Sequence, residues 1–453
     1  MNVHENESPE IVAIEASSAR EAAFAASLGG ALRKARLRII PLLAICYLVA
    51  FMDRANISFA AQTMNRDLGF TPSQYGLGAG LFFLSYALCE IPANRMLLKL
   101  GARRWLSGLM LAWGLIAACM VFVHSAKSFY GLRLALGVAE AGYFPGAIFY
   151  LSQWFPSSER ARSISLFYIA FPLSSTVMGA VAGMLLQLNG VLGLRGWQWL
   201  FLVEALPAIL LSALMWWGLP ASFNEAPWLL AEERQALQQA LSGGDGSAGK
   251  RAEVAEKGMR QALRSGRAWV LSFMLFLTLG SYYAVVFSLP IVLRGLTGWS
   301  QGRVGFLVAL LGVFGALAMI FVARSSDKHR ERRWHIALPT IVMALSFVAA
   351  GARFSGWFAV AALLLGITSF YAMQGPLMGL PNLLLRGEAA AVAIAMLTMG
   401  GVAGGFVGPY WMGWMRDRTG SYAGGIGWLA VPCTIAVFCT LWLMHRIVPE
   451  EKS

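Results

Sequence analysis

IIPLLAICYLVAFMDRANISFA, residues 39–60, settles what kind of protein this is. The run is 22 residues of almost unbroken apolar sequence, and about 20 such residues cross the hydrocarbon core of a bilayer as a helix. A basic stretch with Arg33, Lys34, Arg36 and Arg38 precedes it, as in a secretory leader. The run is too long for a leader's apolar region, and no A-x-A cleavage site follows, so it reads as a retained first membrane helix. Inside it stand Asp53 and Arg54, side by side. An ionised side chain at the bilayer centre costs about 2.5–3.5 kcal/mol on insertion scales, so charges kept there point to function.

Eleven further runs of spanning length follow, at 76–98, 105–123, 129–154, 161–187, 197–219, 268–293, 303–323, 335–351, 357–385, 388–414 and 426–446. They are continuously apolar, not alternating, which excludes a closed β-barrel. Of the 453 residues 58% are hydrophobic and 13% charged, against about 25% charged in soluble domains. A soluble enzyme and a disordered chain are both excluded. The fold class expected is an all-α membrane protein with twelve transmembrane helices.

The net charge of +13 is distributed unevenly. With the N-terminus inside, the cytoplasmic segments hold 25 Lys and Arg, the external loops 8, and three lie within helices. That bias places both termini in the cytoplasm and argues against nucleic acid as a partner. The five cysteines all fall in apolar runs without a CxxC, so neither a disulfide framework nor a zinc site is expected.

The expected organisation is a cytoplasmic tail at 1–37, a six-helix half at 38–219, a central cytoplasmic loop at 220–267, a second six-helix half at 268–447 and a short tail at 448–453. The loop contains the Gly-rich stretch SGGDGSAGK at 242–250. The halves repeat at an offset of 229 residues: Arg103 and Arg104 map onto Arg332 and Arg333, Glu159 onto Glu388, and position 39 onto 268. Duplicated six-helix units around a central loop describe a parallel-repeat transporter.

Ionisable residues within the runs are Asp53, Arg54, Glu90, Arg95, Arg133, Glu140 and Glu204, all in the first half. At 1.5 Å per residue, Arg54 lies about 9 Å from the outer end of its helix, Glu140 about 16 Å deep, and Arg133 about 6 Å. Arg133 and Glu140 are seven residues apart on one helix face, with Gly137 between them leaving room for a neighbouring helix or a ligand. The economical pairing is Asp53 with Arg133 and Arg54 with Glu140. Glu90 and Arg95 read as a gating or structural pair, and Glu204 as structural. Tyr47, Tyr86, Tyr282 and Tyr283 could offer hydroxyls to a ligand; for each alone, interface or core packing is the better explanation.

FMDRANISF at 51–59, GVAEAGYFPG at 137–146, RGWQWLFLVEALPAILL at 195–211 and GGFVGP at 404–409 resemble signatures of the major facilitator superfamily, and within it of the anion:cation symporter family. Tartrate-type bacterial organic-acid permeases look most similar. The resemblance implies proton-driven import of an organic carboxylate across a bacterial inner membrane by a monomer, with the proton gradient and no cofactor as energy source. By motif, Arg54 would bind the carboxylate, Asp53 and Glu140 would titrate, Arg133 would partner Asp53, and Tyr86 would line the cavity. Arg103, Arg104 and Asp327 match gating motifs, although Leu98 stands where the family carries an acid in the first half. Helix seven reads FSLP with Ser288 in place of FWLP, and helix eleven has Thr398 and Val402 in place of two asparagines. A second substrate carboxylate would then rely on Tyr282, Tyr283, Thr398 or Gln374.

Competing readings are an aromatic-acid symporter, a drug:proton antiporter and a non-transporting nutrient sensor. Helix five, IAFPLSSTVMGAVAG at 169–183, lacks the Gly-Pro of antiporters. No H-E-x-x-H and no P-loop occurs, so metalloproteolysis and ATP-driven transport lack their residues.

Overall fold

A computed structural model describes residues 9–242, 257–352, 356–385 and 388–447. The first half comprises α1 (Pro9–Leu68), α2 (Pro72–Leu100), α3 (Ala102–Cys119), α4 (Ala126–Glu140) with α5 (Tyr143–Ser152), α6 (Ser157–Tyr168) with α7 (Ala170–Leu185), and α8 (Gly196–Gly218). Short helices α9 (Ala231–Ser242) and α10 (257–264) lie in the central connection. The second half comprises α11 (Gly266–Thr297), α12 (Gln301–His329), α13 (Arg333–Gly351), α14 (Gly356–Leu384), α15 (Glu388–Thr419), and α16 (Tyr422–Trp428) with α17 (Ala430–Ile447). Among the described residues eleven stretches are long and apolar enough to cross a membrane. The twelfth traverse is α2, 29 residues long and packed between α4 and α15.

Three traverses are broken, and each break has the same cause. Proline has no N–H for the carbonyl four residues back, and its ring crowds that carbonyl. Pro145 breaks α4 from α5 at Ala141 and Gly142, Pro172 breaks α6 from α7 at Ile169, and Pro432 breaks α16 from α17 at Leu429. The first of these breaks falls immediately after Glu140.

From Pro9 onward the expected tail and the first traverse form one helix, 60 residues long. Its EASSAREAAFAASLGGALRKAR segment is dominated by strong helix formers. Near the termini it is fastened to the connection. Lys34 Nζ donates to Glu233 of α9 at 2.8 Å, Arg36 Nη2 to Glu159 at 2.7 Å, and Arg38 lies over the Trp228 ring. Trp228 in turn stacks on Trp154. The Gly-rich stretch from 243 on and both chain ends lie outside the described residues.

The halves meet most closely at the face opposite the termini. There Ser73 of α2 donates to Asp417 of α15, Tyr75 Oη to the Phe287 carbonyl at 2.9 Å, and Arg294 to Gln62 at 2.7 Å. Several of the contacts there require glycine. A Cβ at Gly76 would collide with the Pro409 carbonyl, and one at Gly179 of α7 with the Gly305 carbonyl of α12. The halves are therefore sealed backbone to backbone at this face.

Candidate functional site: a buried charge cluster facing a hydroxyl wall

Five ionisable side chains from α1, α4 and α8 are buried: Asp53, Arg54, Arg133, Glu140 and Glu204. Arg54 Nε donates to Glu140 Oε2 at 2.8 Å, and Glu140 is fully enclosed. The Arg54 guanidinium lies 4.7 Å from the ring centre of Phe51, 5.3 Å from that of Phe82 and 4.9 Å from that of Tyr86. Quadrupoles of ring faces favour a cation in that position. The pair with Glu140 uses Nε, and the Tyr86 and Tyr283 hydroxyls are hydrogen-bond neighbours of the guanidinium, so an anion reaching the terminal nitrogens competes only with neutral groups. Gly137 makes the cage possible by letting α4 approach α2; a Cβ there would collide with the Phe82 carbonyl and Ser85. The room it leaves is taken by a helix.

The expected Asp53–Arg133 pair is not formed. Arg133 Nε donates to the Gly78 carbonyl at 3.3 Å and Nη2 to the Ala79 carbonyl at 3.4 Å, with the Phe82 ring 4.8 Å away. Asp53 Oδ1 instead accepts from Asn56 Nδ2 at 3.0 Å, and Asp53 Oδ2 has no partner. The reason is local: Asn56 is three residues on from Asp53 along the same helix face, whereas Arg133 must reach across from α4 and meets α2 carbonyls first.

Across from the cluster the second half presents hydroxyls. Tyr282 and Tyr371 share a 2.7 Å hydrogen bond, and Ser175 of α7 lies 3.2 Å from the Tyr371 hydroxyl. Tyr283 packs on Phe83, and Tyr47 stacks on Phe167. Gln374 is buried with Oε1 unpartnered. Thr398 is not joined to this wall: its hydroxyl donates to its own helix, at Ile394 and Ala395. Glu90 and Arg95 form no pair, because five residues turn the helix by about 140° between them. Arg103 and Arg104 sit apart from Asp327, which lies 3.7 Å from Arg332 within its own half.

The sequence profile of the Major Facilitator Superfamily matches residues 43–409. The chain belongs to that superfamily. It is a transporter, not an enzyme. This facilitator is 40% identical over 93% of its length to a protein of Agrobacterium vitis provisionally named a tartrate transporter, covering 96% of that protein. It is 38% identical to metabolite transport protein NicT of Pseudomonas putida, with 91% of this chain and 94% of that one aligned. It is 34% identical to a quinolone resistance transporter of Acinetobacter baumannii, with 93% and 96% covered. A bacterial homologue of the lysosomal transporter Spinster superposes with a TM-score of 0.76 at 17% identity, covering 91% of this chain and 98% of that one.

Five site residues of this facilitator escaped the sequence reading: Phe51, Asn56, Phe82, Ser175 and Tyr371. Asn56 carried a signal, its spacing from Asp53. Tyr371 and Ser175 did not, since they come from different halves and meet only through the fold.

Proposed function

We propose that this transporter imports a small organic carboxylate together with protons, by alternating access, from a position in a bacterial inner membrane with both termini in the cytoplasm. Arg54 supports the reading best. It is a buried guanidinium whose ion-pair partner among the described residues, Glu140, can lose it to a competing anion. A substrate carboxylate engaging the fork weakens the hold of Arg54 on Glu140, and Glu140 then takes a proton. Binding and protonation thereby become coupled, and the added proton offsets the charge of the added carboxylate through the conformational change. The opposing wall of Tyr282, Tyr371 and Gln374 offers neutral donors to the rest of the substrate. Tartrate-like hydroxy acids rank first and aromatic acids second, in line with the name of the Agrobacterium relative. Orientation rests on the Lys and Arg bias, and the seal opposite the termini then closes the outer side. No cofactor is required, and a single chain suffices.

A drug efflux reading is favoured by the quinolone resistance relative and opposed by Pro172 standing without a preceding glycine in helix five. Proteoliposomes decide between the two. Import predicts accumulation of labelled tartrate or phthalate driven by an inward proton gradient, with alkalinisation on the side of uptake. Competition only by cationic or neutral compounds would end the organic-anion reading.

A further inference from the structure

Glu204 of α8 is 5% exposed, and neither of its carboxyl oxygens has a hydrogen-bond partner. Asp53 Oδ2 and Asn56 Oδ1 are also buried without a partner. The side chains of Asp53 and Asn56 are the groups that act on Glu204. Four buried acceptors around a single amide donor, Asn56 Nδ2, which is given to Asp53 Oδ1, is an arrangement that native structures avoid. The surroundings supply no cation to Glu204. Of the helices packed on α8, α7 has no ionisable side chain, and α3 has its only charges, Arg103 and Arg104, in its first turn. From α1 comes Asp53; Arg133 and Glu140 of α4 and Arg54 act on Asp53. Three buried carboxyls thus accompany two guanidiniums.

One proton removes the conflict. A protonated Glu204 donates to Asn56 Oδ1, and Asn56 Nδ2 donates to Asp53 Oδ1, as observed. An amide has one accepting and one donating end, so it can serve only one protonated and one ionised neighbour at a time. Rotating the amide by half a turn reverses the two roles. We propose that Asp53, Asn56 and Glu204 form a second proton site, in which the two carboxyls hold one proton between them and the Asn56 amide turns to follow it. When Asp53 gains a proton, it donates to Asn56 Oδ1, Asn56 Nδ2 turns to Glu204, and Glu204 releases its own. Since Asp53 is adjacent to Arg54, this site senses the occupancy of the substrate cage. The inference deepens the proton-coupled reading above and rests on it.

The test uses the full chain reconstituted in lipid and infrared spectroscopy of the carbonyl stretch of protonated carboxyls, which needs no substrate. Wild type should show a protonated buried carboxyl at neutral pH that Glu204→Gln removes and Glu140→Gln leaves in place. Asn56→Ala should move the titration midpoint of that band by at least about one pH unit, a tenfold change in proton affinity. This variant is an independent arm should Glu204→Gln not fold. A band unchanged by Glu204→Gln, or a midpoint unmoved by Asn56→Ala, overturns the proposal. Tartrate and phthalate-driven alkalinisation in wild-type vesicles is measured alongside. Its absence counts against proton-coupled transport, whereas an unchanged band counts against this site alone.

Discussion

Within its traverses the first half buries Asp53, Arg54, Arg133, Glu140 and Glu204. The second half buries Tyr282, Tyr283, Tyr371, Ser281, Ser288 and Gln374. Two halves with the same helix count and one ancestry-like offset have therefore divided the chemistry. Charged groups stand on one side, and neutral hydroxyl and amide groups stand on the other. The division has a physical advantage. Charges desolvated together can compensate each other within one rigid half, whereas a charge pair spanning the moving interface would be broken in every cycle.

The largest test of this division removes the fork and keeps the charge. Arg54→Lys should weaken tartrate or phthalate binding by at least about 100-fold, because a point ammonium cannot hold Glu140 and present a planar fork together. Wild-type affinity by calorimetry in the lysine variant would break the comparison at its root. Glu140→Gln comes next. It mimics the protonated carboxyl permanently, so exchange of labelled substrate should persist while gradient-driven accumulation falls to the equilibrium level. Accumulation equal to wild type would move proton coupling away from this residue.

The interface between the halves supplies an intermediate effect. Gly179→Leu forces α7 away from the Gly305 carbonyl, and overpacking of this kind costs about 1–3 kcal/mol. That energy shifts the population away from the sealed state about 5- to 150-fold. Spin labels at positions 62 and 294, which adjoin in the sealed state, should report a longer distance. A smaller effect is expected in the second half. Tyr371→Phe deletes the hydroxyl that joins Tyr282 and Ser175, worth about 0.5–1.5 kcal/mol, or roughly 2- to 13-fold in substrate affinity. A loss as large as that of Arg54→Lys would show that the wall binds as strongly as the cage.

The smallest effect lies outside the membrane. Burial raises the proton affinity of the Glu233 carboxyl, but the Lys34 ammonium and the Leu230 N–H outweigh it and hold the group below its ordinary range. A carboxyl held low stabilises the fold fully above its ordinary pKa of about 4.3, and the contribution fades as pH falls through the lowered value. Glu233→Gln should therefore lower thermal stability at pH 7 by no more than about 1 kcal/mol, and the difference should shrink in acid. A difference that grows in acid would reverse the assignment.

The twelve traverses were readable from apolar runs alone, because a bilayer demands a continuous stretch of fixed length and tolerates no exposed backbone. The buried pairing of Arg54 with Glu140 was readable for the complementary reason: a charge is too expensive in that setting to be left alone. The breaks after Glu140 and at Ile169 were written in Pro145 and Pro172 as well. Sequence spacing could not decide who pairs with whom. Arg133 and Asp53 lie on different helices, and the α2 carbonyls of Gly78 and Ala79 take Arg133 first. Glu204 looked like an isolated structural acid until α8 was laid against α1, where its oxygens face Asn56 and Asp53 without a donor. The Ser175–Tyr371–Tyr282 network joins residues almost two hundred positions apart, from both halves. Hydropathy and charge cost act on each segment by itself and so are visible along the chain. Hydrogen bonds and ion pairs require two partners within about 3–4 Å, and only the packing of the helices against one another brings those partners together.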